Sequence, residues 1–172
     1  MGKKHPDREI VKVEGVRNFR GLGGIRVGDK KVKNGLCYRC AGLHRITDNG
    51  VKTLQNLAIR YDFDLRTERE KGEKPDPAIE GLTLCEFDIL GDPVAGLSRE
   101  RITRKEFVSQ SMPMEDLYEL MVSKATNRLS MAFSFAVACL LKGERFLFHC
   151  TEGKDRTGLL AALILGVLGA SK

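Results

Sequence analysis

The chain has 172 residues, 42% hydrophobic and 30% charged, which excludes a disordered polymer and suits one domain, residues 1–172, with its own core. Lys and Arg outnumber Asp and Glu by 29 to 23, a formal charge of +6, which favours acidic partners without naming one. Five cysteines, an odd number, argue against a disulfide framework and for reduced thiols in the cytoplasm.

Met1 to Asp7 carries Lys3 and Lys4 with no apolar stretch behind them, so it is read as neither a signal peptide nor a membrane start. Ile10 to Val13 is β-prone and leads into Asn18 to Gly24, where three glycines in four residues predict a loop. Ile25 to Val32 alternates apolar and polar residues around Gly28-Asp29 and predicts a small hairpin turning on that pair. Leu36 to Cys40 reads as a strand, and Thr47-Asp48 offers a cap for a helix over 48–57. Ile59 to Leu65 is a strand candidate, followed by Thr67 and Glu70 in capping-box spacing and closed by Pro75 and Pro77.

Leu82 to Ile89 is a further strand, and the polar stretch from Gly91 to Arg104 is long enough to be a mobile functional loop. Met114 to Leu141 has helical periodicity broken near Thr126-Asn127, which predicts one long helix or two in succession. Arg145 to Phe148 reads as a buried strand, His149 to Arg156 as a polar loop, and Thr157 onward as a helix. The most apolar run, Leu159 to Leu168, is about ten residues where a membrane span needs roughly 20, so it is expected in the core and no integral membrane segment is expected. Strands separated by helices predict an α/β fold with a mainly parallel central sheet flanked by helices, and ligands in such sheets bind at the carboxyl ends of strands.

The segment from His149 to Gly158 places the Cys150 thiol at a strand end and Arg156 six positions later at a helix start. A loop of that shape turns the backbone N–H groups of Thr151, Glu152, Gly153, Lys154, Asp155 and Arg156 towards one anion, while the Arg156 fork grips two of its oxygens. The same positive field favours the Cys150 thiolate, the nucleophilic form. Thr157 is placed to donate a hydrogen bond to that sulfur, and His149 to orient the loop through its backbone. A buried core thiol is the ordinary reading of a single cysteine; the surrounding Gly153, Lys154, Arg156 and Thr157 favour the catalytic one. Lys154 adds charge beside the anion or is simply solvated.

A leaving oxygen needs a proton, and the carboxyls offered are Asp88 at a strand end, where a turn or cap is its ordinary role, Asp92, and Asp155 inside the loop. Arg66 and Glu70 stand at helical i,i+4 spacing and are expected to form a structural ion pair. Cys37 and Cys40 form a C-x-x-C without a second ligand pair, and on a strand they face opposite ways, so no metal is expected there. Cys85 and Cys139 read as core. With no basic helix and no aromatic-interleaved patch, nucleic-acid binding is not expected.

The loop resembles that of the bacterial and fungal tyrosine phosphatases whose phosphate loop reads H-C-x-x-G-K-D-R-T-G. The likeness extends to Asn18-Phe19-Arg20 with Gly23-Gly24, to Leu36 to Arg39 and to Asp64 to Glu70. It implies a protein tyrosine phosphatase-like fold and a phosphatase without cofactor or metal, acting through a phosphocysteine on phosphotyrosine, and in several members on phosphoserine, phosphothreonine or phosphoinositides. Phosphorylated proteins or phosphoinositides are then the expected partners. The chain departs from the family at Gly21, where Asp is usual, and at Cys40, where Ser is usual. Family members generally continue with further helices beyond the one beginning near Thr157, so the resemblance implies either a fragment truncated at its C-terminus or a short variant. A phosphate-binding module without turnover is the rival reading, and oligomeric state stays open.

Overall fold

Alternation of buried side chains on short strands organises the computed structural model, which describes residues 10–90 and 114–170. The strands are β1 (Arg20–Gly21), β2 (Arg26–Val27), β3 (Lys30–Lys31), β4 (Cys37–Ala41), β5 (Tyr61–Asp64), β6 (Thr83–Glu86) and β7 (Phe146–Cys150). The helices are α1 (Asp48–Asn56), α2 (Glu68–Glu73), α3 (Met114–Lys142) and α4 (Asp155–Val167). Five strands form one sheet in the order β1-β4-β7-β5-β6, and β2 with β3 make a separate hairpin. The pairs β4–β7, β7–β5 and β5–β6 are parallel, while β1 is an antiparallel edge. This is the mainly parallel α/β architecture, flanked by helices, that the sequence predicts.

Strand β7 is central and buried along its whole length, as a parallel strand covered on both faces should be. Phe146, Phe148 and Cys150 point to one face, where Phe63 of β5 and Leu129, Ala132, Ala136 and Cys139 of α3 meet Leu160, Ala161 and Ile164 of α4. Phe63 stacks on Phe146 with ring centroids 4.8 Å apart. Leu147 points the other way, into a cluster with Val13, Phe19, Tyr38, Cys40, Leu43 and Leu54 of α1. The period-two alternation of the strand thus separates Cys150 from its neighbour His149, one to each face.

Several expectations meet a different outcome. Ile10 to Val13 forms no strand, although Val13 is buried. The predicted loop over 18–24 contains β1, whose two residues pair with Tyr38 and Arg39. The hairpin turns on Gly28-Asp29 as expected, with Gly28 at φ +61. Helix α3 runs unbroken through Thr126-Asn127. Strand β7 extends through Cys150 and α4 begins at Asp155, so the polar connection is shorter than the predicted 149–156. Cys139 is core, whereas Cys85, on the edge strand β6, is only half-buried. The loop expected over 91–104, with Asp92, lies outside the described residues. Among the described residues no helix is long and apolar enough to cross a membrane.

Candidate active site

The carboxyl ends of β4, β7 and β5 converge on the segment 150–157. Residues 151–154 turn the chain from β7 into α4, and the turn needs Gly153: its φ is +67, and a Cβ there would collide with the backbone carbonyl of Cys40. Neighbouring strands brace the turn. Gly42 N donates to Thr151 O at 3.3 Å, and the Arg39 guanidinium donates to Gly153 O at 2.9 Å. Asn18, itself at φ +62, donates to Glu152 O at 3.1 Å, and Arg17 pairs with the Glu152 carboxylate at 2.8 Å. With its carbonyls held from outside, the turn brings the backbone amides of Lys154 and Thr157 to the Cys150 sulfur.

Helix α4 has no side-chain cap at its first turn, so its N-terminal amides remain available to an anion. Cys150 sits against them. Burial alone would push its thiol up, but the Arg156 guanidinium, the Thr157 hydroxyl and the backbone amides of Thr157 and Lys154 outweigh burial and hold its pKa below the ordinary value. Thr157 Oγ1 is buried and has no well-aligned acceptor as the thiol stands, which leaves its proton for the ionised sulfur.

Arg156 is buried and held as a fork. Its Nη1 and Nη2 donate to the two carboxylate oxygens of Glu70, each at 2.6 Å, and Nη1 also reaches Leu65 O at 3.3 Å. Burial works against the charged guanidinium, yet Glu70 and the Cys150 thiolate keep its pKa raised. Glu70 in turn accepts from Thr151 Oγ1 at 2.6 Å and from Thr67 N at 3.0 Å. Burial would raise the Glu70 carboxyl, but Arg156 and these donors bring it down to about 2.

A model of the tyrosine phosphatase family matches residues 11–172. The chain belongs to the tyrosine phosphatase family. It is 30% identical over 168 residues to a Cupriavidus necator protein provisionally named a tyrosine-protein phosphatase, covering 96% of this chain and 60% of that one. A tyrosine-protein phosphatase of Nostoc commune is 31% identical over 134 residues, 78% of this chain and 44% of its own length. The triple specificity protein phosphatase PtpB of Mycobacterium tuberculosis is 28% identical over 185 aligned positions, covering 95% of this chain and 65% of the relative. The chain therefore spans between 44% and 65% of the curated relatives it matches.

In this tyrosine phosphatase family member, Cys150, Thr151, Gly153, Arg156 and Thr157 lie together at the turn from β7 into α4. It does not form the expected Arg66–Glu70 pair. Helix α2 starts at Glu68, so Arg66 lies before it and helical spacing does not apply. Arg66 instead pairs with Asp64 at 2.7 Å and Asp76 at 2.8 Å, and Glu70 turns into the site. The Thr67–Glu70 capping box is present, and it is what presents the Glu70 carboxylate to Arg156.

His149 lies on the opposite face of the sheet from Cys150. Its Nδ1 is 3.4 Å from Cys150 O, and its Nε2 faces Asp62 and Asp76. Burial would lower its pKa, but Asp62, Asp64 and Asp76 raise it to about 9. Asp88 follows β6; its carboxylate contacts Arg128 of α3 at 3.3 Å and accepts from Leu90 N at 3.2 Å. Asp155 is in the first turn of α4, and Lys154 is exposed at the helix cap. Gly21 is buried in β1 and Cys40 is fully buried in β4.

Proposed function

We propose that this chain hydrolyses phosphate monoesters in two steps through a phosphocysteine on Cys150. The observation that carries the reading is a thiol of depressed pKa facing a buried, pre-oriented Arg156 at an uncapped helix N-terminus. In the first step the Cys150 thiolate attacks phosphorus, the bond to the leaving oxygen breaks, and that oxygen takes up a proton from a carboxyl group. The amides of residues 151–156 and the Arg156 fork bind the equatorial oxygens, whose charge they stabilise. In the second step water attacks phosphorus, the P–S bond breaks, and phosphate leaves while Thr157 stabilises the departing thiolate.

Asp88, where the family resemblance puts the acid, is the proton donor proposed, with Asp92 and Asp155 as its alternatives. Delivery from Asp88 requires its contact with Arg128 to open. Phosphotyrosine is the first substrate class proposed, with phosphoserine, phosphothreonine and phosphoinositides beside it; the name of the Mycobacterium tuberculosis relative supports that breadth. Exposed Lys154 is the residue proposed to meet a second phosphate.

The test is release of p-nitrophenol from p-nitrophenyl phosphate by the wild-type chain and by Cys150→Ser, both with a chelator present. Turnover that disappears in the variant is expected. A folded wild-type chain without turnover would favour a phosphate-binding module, and turnover surviving in Cys150→Ser would reject the cysteine mechanism.

A further inference from the structure

The face of the sheet opposite Cys150 buries a second charged constellation that the proposed chemistry does not use. Asp62 and Asp64 alternate with Tyr61 and Phe63 along β5, so their carboxylates lie on the same side as His149. Asp76, just beyond α2, closes the group from outside. His149 Nε2 is 3.2 Å from Asp62 Oδ1 and 3.4 Å from Asp76 Oδ2. One ligand atom from each of Asp62, Asp76 and His149 can be chosen so that all three lie within 4.8 Å of one another.

Two observations set this group apart from an ordinary buried ion pair. The first is a concentration of unmet polar atoms. His149 Nε2, Asp62 Oδ1 and Asp76 Oδ1 are buried with no aligned hydrogen bond, although Nε2 is within ion-pair distance of both aspartates. His44 Nδ1 is a fourth such atom, and it lies nearby: a methyl group on Gly42 would meet both it and Asp76 Oδ1. Buried polar groups in proteins are nearly always satisfied, and a local failure points to a missing ion or water.

The second observation is charge. Asp62 and Asp64 are buried and Asp76 is half-buried beside them, and among the described residues Arg66 is the guanidinium that pairs with this group, bound to Asp64 and Asp76. Even with a proton on His149, three carboxylates face two cationic side chains, so at least one negative charge is left uncompensated, which burial disfavours.

We propose that Asp62, Asp76 and His149 form a structural site for a divalent cation of the zinc type. Bonds of about 2.0–2.2 Å in tetrahedral geometry place ligand atoms roughly 3.3–3.6 Å apart; Nε2 keeps close to that spacing from Asp62 Oδ1 and from Asp76 Oδ2, the latter shared with Arg66 Nη2, and the three ligand atoms lie within 4.8 Å of one another. One imidazole nitrogen with two carboxylate oxygens suits zinc better than calcium or magnesium, which take oxygen ligands almost alone. Two positive charges would neutralise the buried excess. A proton on His149 Nε2 is the competing occupant, and metal uptake displaces it into solvent. The ion would tie the ends of β5 and β7 to the segment after α2, below the residue that precedes Cys150. It would not touch the phosphate.

The test uses the full chain carrying Cys150→Ser, which removes the active-site thiolate as a zinc ligand. Chelator-stripped protein is titrated with zinc chloride, and bound metal and melting temperature are read together. One zinc per chain with a rise in melting temperature is expected, and Asp62→Asn and Asp76→Asn should each weaken binding at least about tenfold. Asp76 lies at the rim of the cluster, so Asp76→Asn decides the matter if Asp62→Asn fails to fold. No saturable binding by the folded Cys150→Ser chain, or binding unchanged by Asp76→Asn, would overturn the site.

Discussion

Glu70 holds both terminal nitrogens of Arg156 before any substrate arrives, so the fork loses little freedom when phosphate binds. Replacing Glu70 with Gln should lower kcat at least about tenfold and lower the melting temperature, because a broken buried pair costs about 3–5 kcal/mol. Steady-state kinetics and thermal melts check both. The Glu70 pKa is depressed from 4.5 to about 2, so its stabilisation is fully present above pH 4.5 and is lost as pH falls through about 2. Urea unfolding of the wild type should show that loss, and Glu70→Gln should lack it. Arg156 is the largest favourable influence on the Cys150 thiolate, so Arg156→Ala should move the thiolate absorbance titration to higher pH. At this scale the sequence revealed the 149–158 loop because its members are contiguous. It hid Glu70, whose partner Arg156 is 86 positions away, a separation that no local spacing rule reaches. Arg66 four residues earlier supplied a false partner.

The connection from β7 to α4 is braced by three residues from elsewhere in the chain: Arg39 of β4, Asn18 before β1 and Glu70 of α2, itself held by Thr67 at the helix cap. Gly153→Ala would force a side chain into positive φ and against the Cys40 carbonyl, a strain of about 1–3 kcal/mol. Loss of turnover together with a lower melting temperature is expected, measured on the same preparation. Thr67→Ala removes the cap of α2, worth about 1 kcal/mol, and should lower kcat more than an equally destabilising change far from the site. The longer elements were legible in the sequence through alternation and capping, as with β5, β7 and α1. Strand β1 was not, since two residues have no pattern of their own and Arg20-Gly21 becomes a strand only by pairing with β4. Thr126 and Asn127 looked like a helix break because both have modest helix propensity, which the rest of a 29-residue helix overrides.

Across the whole molecule, one sheet separates two chemistries: the thiol and its arginine on the α3–α4 side, the aspartates and His149 on the other. The stacked rings of Phe63 and Phe146 lie between the helices and that sheet, so Phe63→Ala should cost about 3–5 kcal/mol while leaving KM of the folded fraction nearly unchanged. Denaturant unfolding and kinetics on one sample separate the two effects. The α/β class was legible because helices and strands alternate along the chain. The buried aspartate cluster was not, because Asp62, Asp76 and His149 come from separate segments and each is unremarkable where it stands in the sequence. Covalent chemistry at Cys150 is tested most directly by mass spectrometry of the wild-type chain acid-quenched during turnover of p-nitrophenyl phosphate. A single added phosphoryl group on the peptide containing Cys150, absent in Cys150→Ser, is the expected result. Turnover without that adduct, or a phosphoryl group carried on another residue, would contradict it.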